Sequence, residues 1–125
     1  MKKFVVVVDA DDKPRRALRT ILEERNYPTT DMHSLPELKN YIEDIPGGII
    51  VMDIDTIPVD NLTIRDMAIK NPGFYFLCLS KDRFHPDLKD AICYHIYACI
   101  NKPLDSEELF YWLKTISEDE EFYKV

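Results

Sequence analysis

Residues Val5 to Val8 are four consecutive β-branched side chains with no polar residue among them. A strand with one wet face alternates apolar and polar residues. An uninterrupted apolar run belongs instead to a strand covered on both faces, as in a parallel sheet. The pattern returns at residues 49–52 and 74–79, and in weaker form at 28–32 and 97–101. Helical periodicity fills the intervals. Pro14 stands near a first helix start, where its missing N–H costs nothing, and Leu18, Ile21 and Leu22 line one face to about Asn26. Ser34-Leu-Pro-Glu37 is a capping box opening a second helix with Leu38, Tyr41, Ile42 and Ile45, broken by Pro46-Gly-Gly48. A third helix is expected from about Asn61 to Lys70, stopped by Asn71-Pro-Gly73, and a fourth near residues 86–95. Asp105-Ser-Glu-Glu108 caps a last helix bearing Leu109, Trp112, Leu113 and Ile116.

Five β-α units in succession force right-handed crossovers and a parallel sheet with helices on both faces. The expected fold is therefore α/β, a doubly wound five-stranded parallel sheet formed by residues 1–125 as one domain. With 46% hydrophobic residues the chain can fill such a core. A net charge of −7 argues against nonspecific nucleic-acid binding, since a phosphate backbone would be repelled. No apolar stretch approaches the roughly 20 residues that span a bilayer. The start, basic and then apolar, looks like a signal peptide, but its apolar run stops in acid after Val8. Cys78, Cys93 and Cys99 sit among apolar neighbours without a CxxC pair, which fits buried thiols in a reducing cytoplasm. The run Glu118-Asp-Glu-Glu121 reads as a solvated helix end.

In doubly wound sheets the functional crevice lies beyond the carboxyl ends of the strands. There the sequence sets Asp9, Asp11 and Asp12, then Asp53 and Asp55, then Ser80, then Lys102. Clustered carboxylates repel one another unless a cation sits among them. Oxygen donors without His or thiolate favour a hard ion such as Mg²⁺. A carboxylate beside that ion, with an ammonium and a hydroxyl in reach, can attack phosphorus and hold an acyl phosphate. Acids also follow strands simply as turn formers and helix caps, and Asp12 is expected to cap the first helix.

The motifs Val7-Val-Asp-Ala-Asp11, Ile50-Val-Met-Asp53, Leu79-Ser80 and Asn101-Lys-Pro103, in this order and spacing, give the chain a resemblance to the CheY-like receiver domain of two-component response regulators. The resemblance covers essentially the full length. It implies a (βα)5 fold of flavodoxin-like type in which a partner histidine kinase or phosphotransfer protein passes a phosphoryl group to Asp53. Ser80 would hydrogen-bond that group and Lys102 would pair with it. Mg²⁺ would be held by Asp9, Asp53 and the backbone carbonyl of Asp55, with Asp11 as a further candidate. The Lys102–Pro103 peptide would be cis.

The chain also departs from the family. Ala10 stands where the second of two adjacent acids belongs, and whether Asp11 replaces it is open. Ile57-Pro58 ends one position late relative to the family's Met-Pro pair. Asn61 or Leu62 falls near a glycine site, where Asn would tolerate the left-handed conformation. Cys99 takes the place of a family aromatic; Tyr97 shares its strand face by alternation and is expected to serve packing. Phe110, Tyr111 and Trp112 cannot all face the core, so one ring is left for dimerisation or partner contact on the last helix.

The leading expectation is a stand-alone, non-enzymatic receiver that signals through a downstream effector protein, because the chain reaches Val125 without an output domain. The alternative is a pseudo-receiver with impaired phosphorylation, used for interaction or dimerisation. A flavodoxin-like nucleotide binder would need a phosphate loop after the first strand, and none of the three glycines lies there. A metal-dependent phosphatase lacks a separate acid–base residue. His33, His85 and His95 fall beside helical segments and read as surface or packing residues.

Overall fold

The computed structural model describes residues 2–82 and 94–124. Five strands form one parallel sheet: β1 (Val5–Val8), β2 (Thr29–Met32), β3 (Gly48–Asp53), β4 (Phe74–Ser80) and β5 (Ala98–Asn101), in the order β2-β1-β3-β4-β5. Four helices lie among the described residues: α1 (Asp12–Glu24), α2 (Leu35–Ile42), α3 (Asn61–Lys70) and α4 (Ser106–Lys124). The helix expected near residues 86–95 falls largely outside the described residues, as do His85 and Cys93.

The unbroken apolar runs divide their side chains between two cores. Val6, Val8, Ile50, Met52, Phe76 and Cys78 pack on the side of α2 and α3, with Leu38, Ile42, Ile64 and Met67. Val5, Val7, Ile49, Val51, Leu77 and Leu79 pack on the side of α1 and α4, with Leu18, Leu22, Leu109 and Leu113. Every residue of β1 and β3 is buried, which is why polar alternation is absent from both. The fold is the doubly wound α/β sheet that the sequence pattern implies. No described helix is long and apolar enough to cross a membrane.

Local chemistry sets the helix ends. Ser34 accepts the Glu37 amide at 3.4 Å and Asp60 Oδ1 accepts the Thr63 amide at 2.8 Å. Asn26, at φ 67°, ends α1 in the left-handed region, with Asn26 and Tyr27 amides returning to the Glu23 and Leu22 carbonyls. It is the one non-glycine residue with positive φ among those described, so Asn61 does not supply a left-handed turn; it opens α3. Asp12 does not cap α1 either. The helix begins one residue earlier, with Asp11 at the cap position making no side-chain cap bond, and Asp12 turns to Arg15 at 2.7 Å.

Two aromatic expectations resolve differently. Tyr97 precedes β5 and packs edge-on against Tyr75 and Trp112 in the α1/α4 core, whereas Cys99 contacts the opposite core. The shared face expected from alternation fails because Tyr97 lies outside the pleated strand. On α4, Phe110 stacks on Tyr27 and Trp112 meets Tyr97, leaving Tyr111 62% exposed.

Candidate functional site

The strand order reverses between β1 and β3, and Asp9 and Asp53 stand at that switch point. Both are buried, 4% and 3% exposed, as is Ser80 at the end of β4. Such polar groups survive burial only when their hydrogen bonds are made, and here each has named partners.

Asp53 Oδ1 accepts the amides of Asp55 and Thr56 at 2.9 and 3.2 Å, while Oδ2 accepts Lys102 Nζ at 2.7 Å. Lys102 Nζ also lies 3.1 Å from Asp55 Oδ2. Burial works against the ammonium, yet the hydrogen bonds and charges of Asp53 and Asp55 raise its pKa above the ordinary lysine value. The Lys102–Pro103 peptide is cis, as the resemblance implied. Ser80 Oγ donates to Asp55 Oδ1 at 3.0 Å and accepts the Asp82 amide at 3.0 Å; the Lys81 amide donates to Asp55 Oδ2 at 2.9 Å. Burial alone would raise the Asp55 carboxyl, but these donors hold it below the ordinary carboxylate range.

Asp9 is differently placed. Burial raises its carboxyl, and the charge of Asp53 adds to the rise, against the lowering from the Asp11 amide and the Thr56 hydroxyl. Those two groups donate to Asp9 Oδ1 at 2.8 and 2.9 Å. Arg15, itself buried, fixes the end of β1 by donating Nη1 to the Asp9 carbonyl at 3.1 Å and Nε to Asp31 at 2.8 Å.

The three acids after β1 therefore do three things. Asp9 enters the site, Asp12 joins Arg15 outside it, and Asp11 is exposed, contributing its amide to Asp9 while lining the same cavity of about 480 Å³. Asp53, Thr56 and Lys102 line that cavity too. No group of three or more His, Cys, Asp or Glu side chains arranged to hold a metal occurs among the described residues. The donor set still fits a hard ion that keeps most of its water, since Mg²⁺ is commonly held through one or two carboxylates. Asp9 and Asp53 supply those two; burial is the main cause of the raised Asp9 carboxyl, and an ion between them would relieve the repulsion that Asp53 adds to it.

Two contributors escaped the sequence reading. Thr56 Oγ1 joins Asp9 to the β3–α3 loop and accepts the Ala10 amide at 3.1 Å, tying down the segment in which the family acid is missing. A hydroxyl three residues beyond a strand-end acid was the available signal. The other is the bonding of the Asp55 side chain: its carboxylate was expected in the strand-end cluster, but not its pairing with Ser80, Lys81 and Lys102.

No protein-family model and no curated protein matches the sequence. Solved structures do. A CheY-like response regulator receiver domain protein from Methanospirillum hungatei JF-1 superposes with a TM-score of 0.86 at 18% identity, over 98% of this chain and 99% of that one. The beryllofluoride-activated NtrC4 receiver domain, a dimer in solution, gives 0.80 at 24% identity, over 93% and 97%. A chain from the co-crystal of the Saccharomyces cerevisiae histidine phosphotransfer protein Ypd1 with the receiver domain of Ssk1 gives 0.72 at 17% identity, over 90% and 86%. These likenesses, with the strand order and the strand-end residues above, give the chain the fold of a CheY-like response regulator receiver domain.

Proposed function

We propose that the chain is a phosphoacceptor receiver, with Asp53 taking a phosphoryl group from the phosphohistidine of a histidine kinase or phosphotransfer protein. The observation that carries this reading is the placement of Asp53: a buried carboxylate at the switch point, bonded to Lys102 at 2.7 Å and opening on a cavity. In the transfer an Asp53 carboxylate oxygen bonds to phosphorus as the phosphorus–imidazole nitrogen bond breaks, and the nitrogen keeps the electron pair. The Asp55 and Thr56 amides fix the orientation of the attacking carboxylate. Lys102 neutralises the phosphoryl oxygens, and the Ser80 hydroxyl and Lys81 amide supply further donors.

Asp9 and Asp53, with the Asp55 main-chain carbonyl, would hold Mg²⁺; when bound, that ion offsets the charge gathered at phosphorus. Asp11 lines the same cavity and is the candidate replacement for the acid absent at Ala10. The phosphorylated surface would pass its signal to an effector protein, with exposed Tyr111 on α4 as the contact for that partner or for a second copy. Among the described residues Cys78 and Cys99 form no disulfide, which fits a cytoplasmic setting. Incubation with a small phosphodonor and Mg²⁺, followed by intact mass measurement of wild type and Asp53→Asn, tests the reading; only wild type should gain one phosphoryl group.

A further inference from the structure

We infer that the Asp55 carboxylate is a built-in anion, seated on the donors that an incoming phosphoryl group would use, so that the chain carries a latch across its own anion site. The inference rests on the phosphoacceptor reading above. Three donors of different kinds converge on this one side chain: Ser80 Oγ on Oδ1 at 3.0 Å, and the Lys81 amide and Lys102 Nζ on Oδ2 at 2.9 and 3.1 Å. A hydroxyl, a main-chain N–H and an ammonium directed at one point make an oxyanion seat. The donors come from the ends of β4 and β5, and the acid reaches them from the β3–α3 loop.

The seat is specific to Asp55. Asp9 hydrogen-bonds none of the three donors, and Asp53 takes only Lys102, through Oδ2 at 2.7 Å. Ser80 is fully buried, and its single hydroxyl proton is committed to Asp55 while its oxygen accepts the Asp82 amide. A phosphoryl group on Asp53 would need the same hydroxyl proton and the same ammonium, so two anions compete for one set of donors. Asp55 must withdraw before the seat can hold a second anion. Until then it keeps the Ser80–Lys81 segment in an anion-engaged arrangement.

The test uses full-length wild type, Asp55→Ala and Asp55→Asn, titrated with inorganic sulfate in EDTA at constant ionic strength. The backbone amide resonances of Ser80 and Lys81 report binding and, by their dispersion, folding. Asp55→Ala is expected to bind sulfate at least about ten-fold more tightly than wild type, since it frees charge-assisted donors. Asp55→Asn, neutral but still filling the seat, is expected to fall between them, and it remains a folded comparator should the alanine variant unfold. Equal responses of the variants and wild type would overturn the latch. A phosphodonor with Mg²⁺, read by intact mass on the same proteins, separates the two ideas. Equal sulfate responses with a phosphorylated wild type sink the latch alone. Tighter sulfate binding with no phosphoryl gain in any of them sinks the phosphoacceptor reading and leaves the latch as an anion site.

Discussion

Lys102 and Asp53, 49 residues apart, are joined by a 2.7 Å contact between Nζ and Oδ2 that closes the crevice from the β5 side. Asp53 is almost wholly buried and Lys102 only partly so. The pair therefore resembles neither a surface bridge worth little nor a sealed ion pair. Its geometry gives the buried Asp53 carboxylate an ammonium partner at the crevice.

Lys102→Met should leave the Asp53 and Asp55 carboxylates without their ammonium and cost about 2 kcal/mol of stability, between surface and buried limits. Urea denaturation measures the loss. Adding Asp53→Asn should recover much of it, because the uncompensated buried charge is then gone. An unchanged urea midpoint in the single variant would show that the contact does not matter to folding.

Asp9 carries the opposite strain. Its carboxyl is raised by burial, so the folded protein binds this proton more readily than the unfolded chain does. Ionised Asp9 thus opposes folding at neutral pH, and the opposition fades as pH falls through the raised folded value and is gone below the ordinary aspartate value of about 4. Asp9→Asn keeps an oxygen for Thr56 and the Asp11 amide, and should stabilise the metal-free protein at pH 7 by on the order of 1 kcal/mol. Thermal melts in EDTA at pH 7 and pH 4 should show the gain shrinking with acid; a loss at pH 7 would contradict the assignment.

Asp31 behaves in reverse. Burial would raise it, but Arg15 and Arg19 hold its carboxyl below the ordinary range. A depressed carboxyl contributes stability that is complete above the unfolded value and disappears as pH falls through the folded one. Between about pH 5 and pH 2 the melting temperature of wild type should therefore fall more steeply than that of Asp31→Asn. Parallel acid profiles for the two proteins would rule this out.

Thr56→Val removes the hydroxyl linking Asp9 to the β3–α3 loop and should cost about 1 kcal/mol, the typical net value of one hydrogen bond. Hydrogen exchange at the Ala10 amide, which loses its acceptor, should quicken in the same variant. Unaltered exchange at Ala10 would mean that the bond does not hold this turn.

Much of this was legible in the chain. The runs at β1, β3 and β4 could only be strands buried on both faces, and Ser34 and the Asn71-Pro-Gly73 break marked their helices because capping and stop signals are local. Asp9, Asp53, Ser80 and Lys102 were foreseeable because each directly follows or ends a strand, so the topology alone brings them together. What stayed hidden depends on side-chain direction in loops. Asp11, Asp12, Asp55 and Thr56 are close in sequence to the site, but whether each turns inward is decided by partners as distant as Arg15, Lys81 and Lys102. Tyr97 was misplaced for a related reason: alternation holds only inside the strand, and β5 begins one residue later.

The central claim is that Asp53 accepts a phosphoryl group, and intact mass spectrometry after incubation with acetyl phosphate and Mg²⁺ tests it most directly. The expected result is a gain of one phosphoryl group in wild type, absent when EDTA is present from the start and absent in Asp53→Asn. No gain in wild type, or an equal gain in Asp53→Asn, would contradict it.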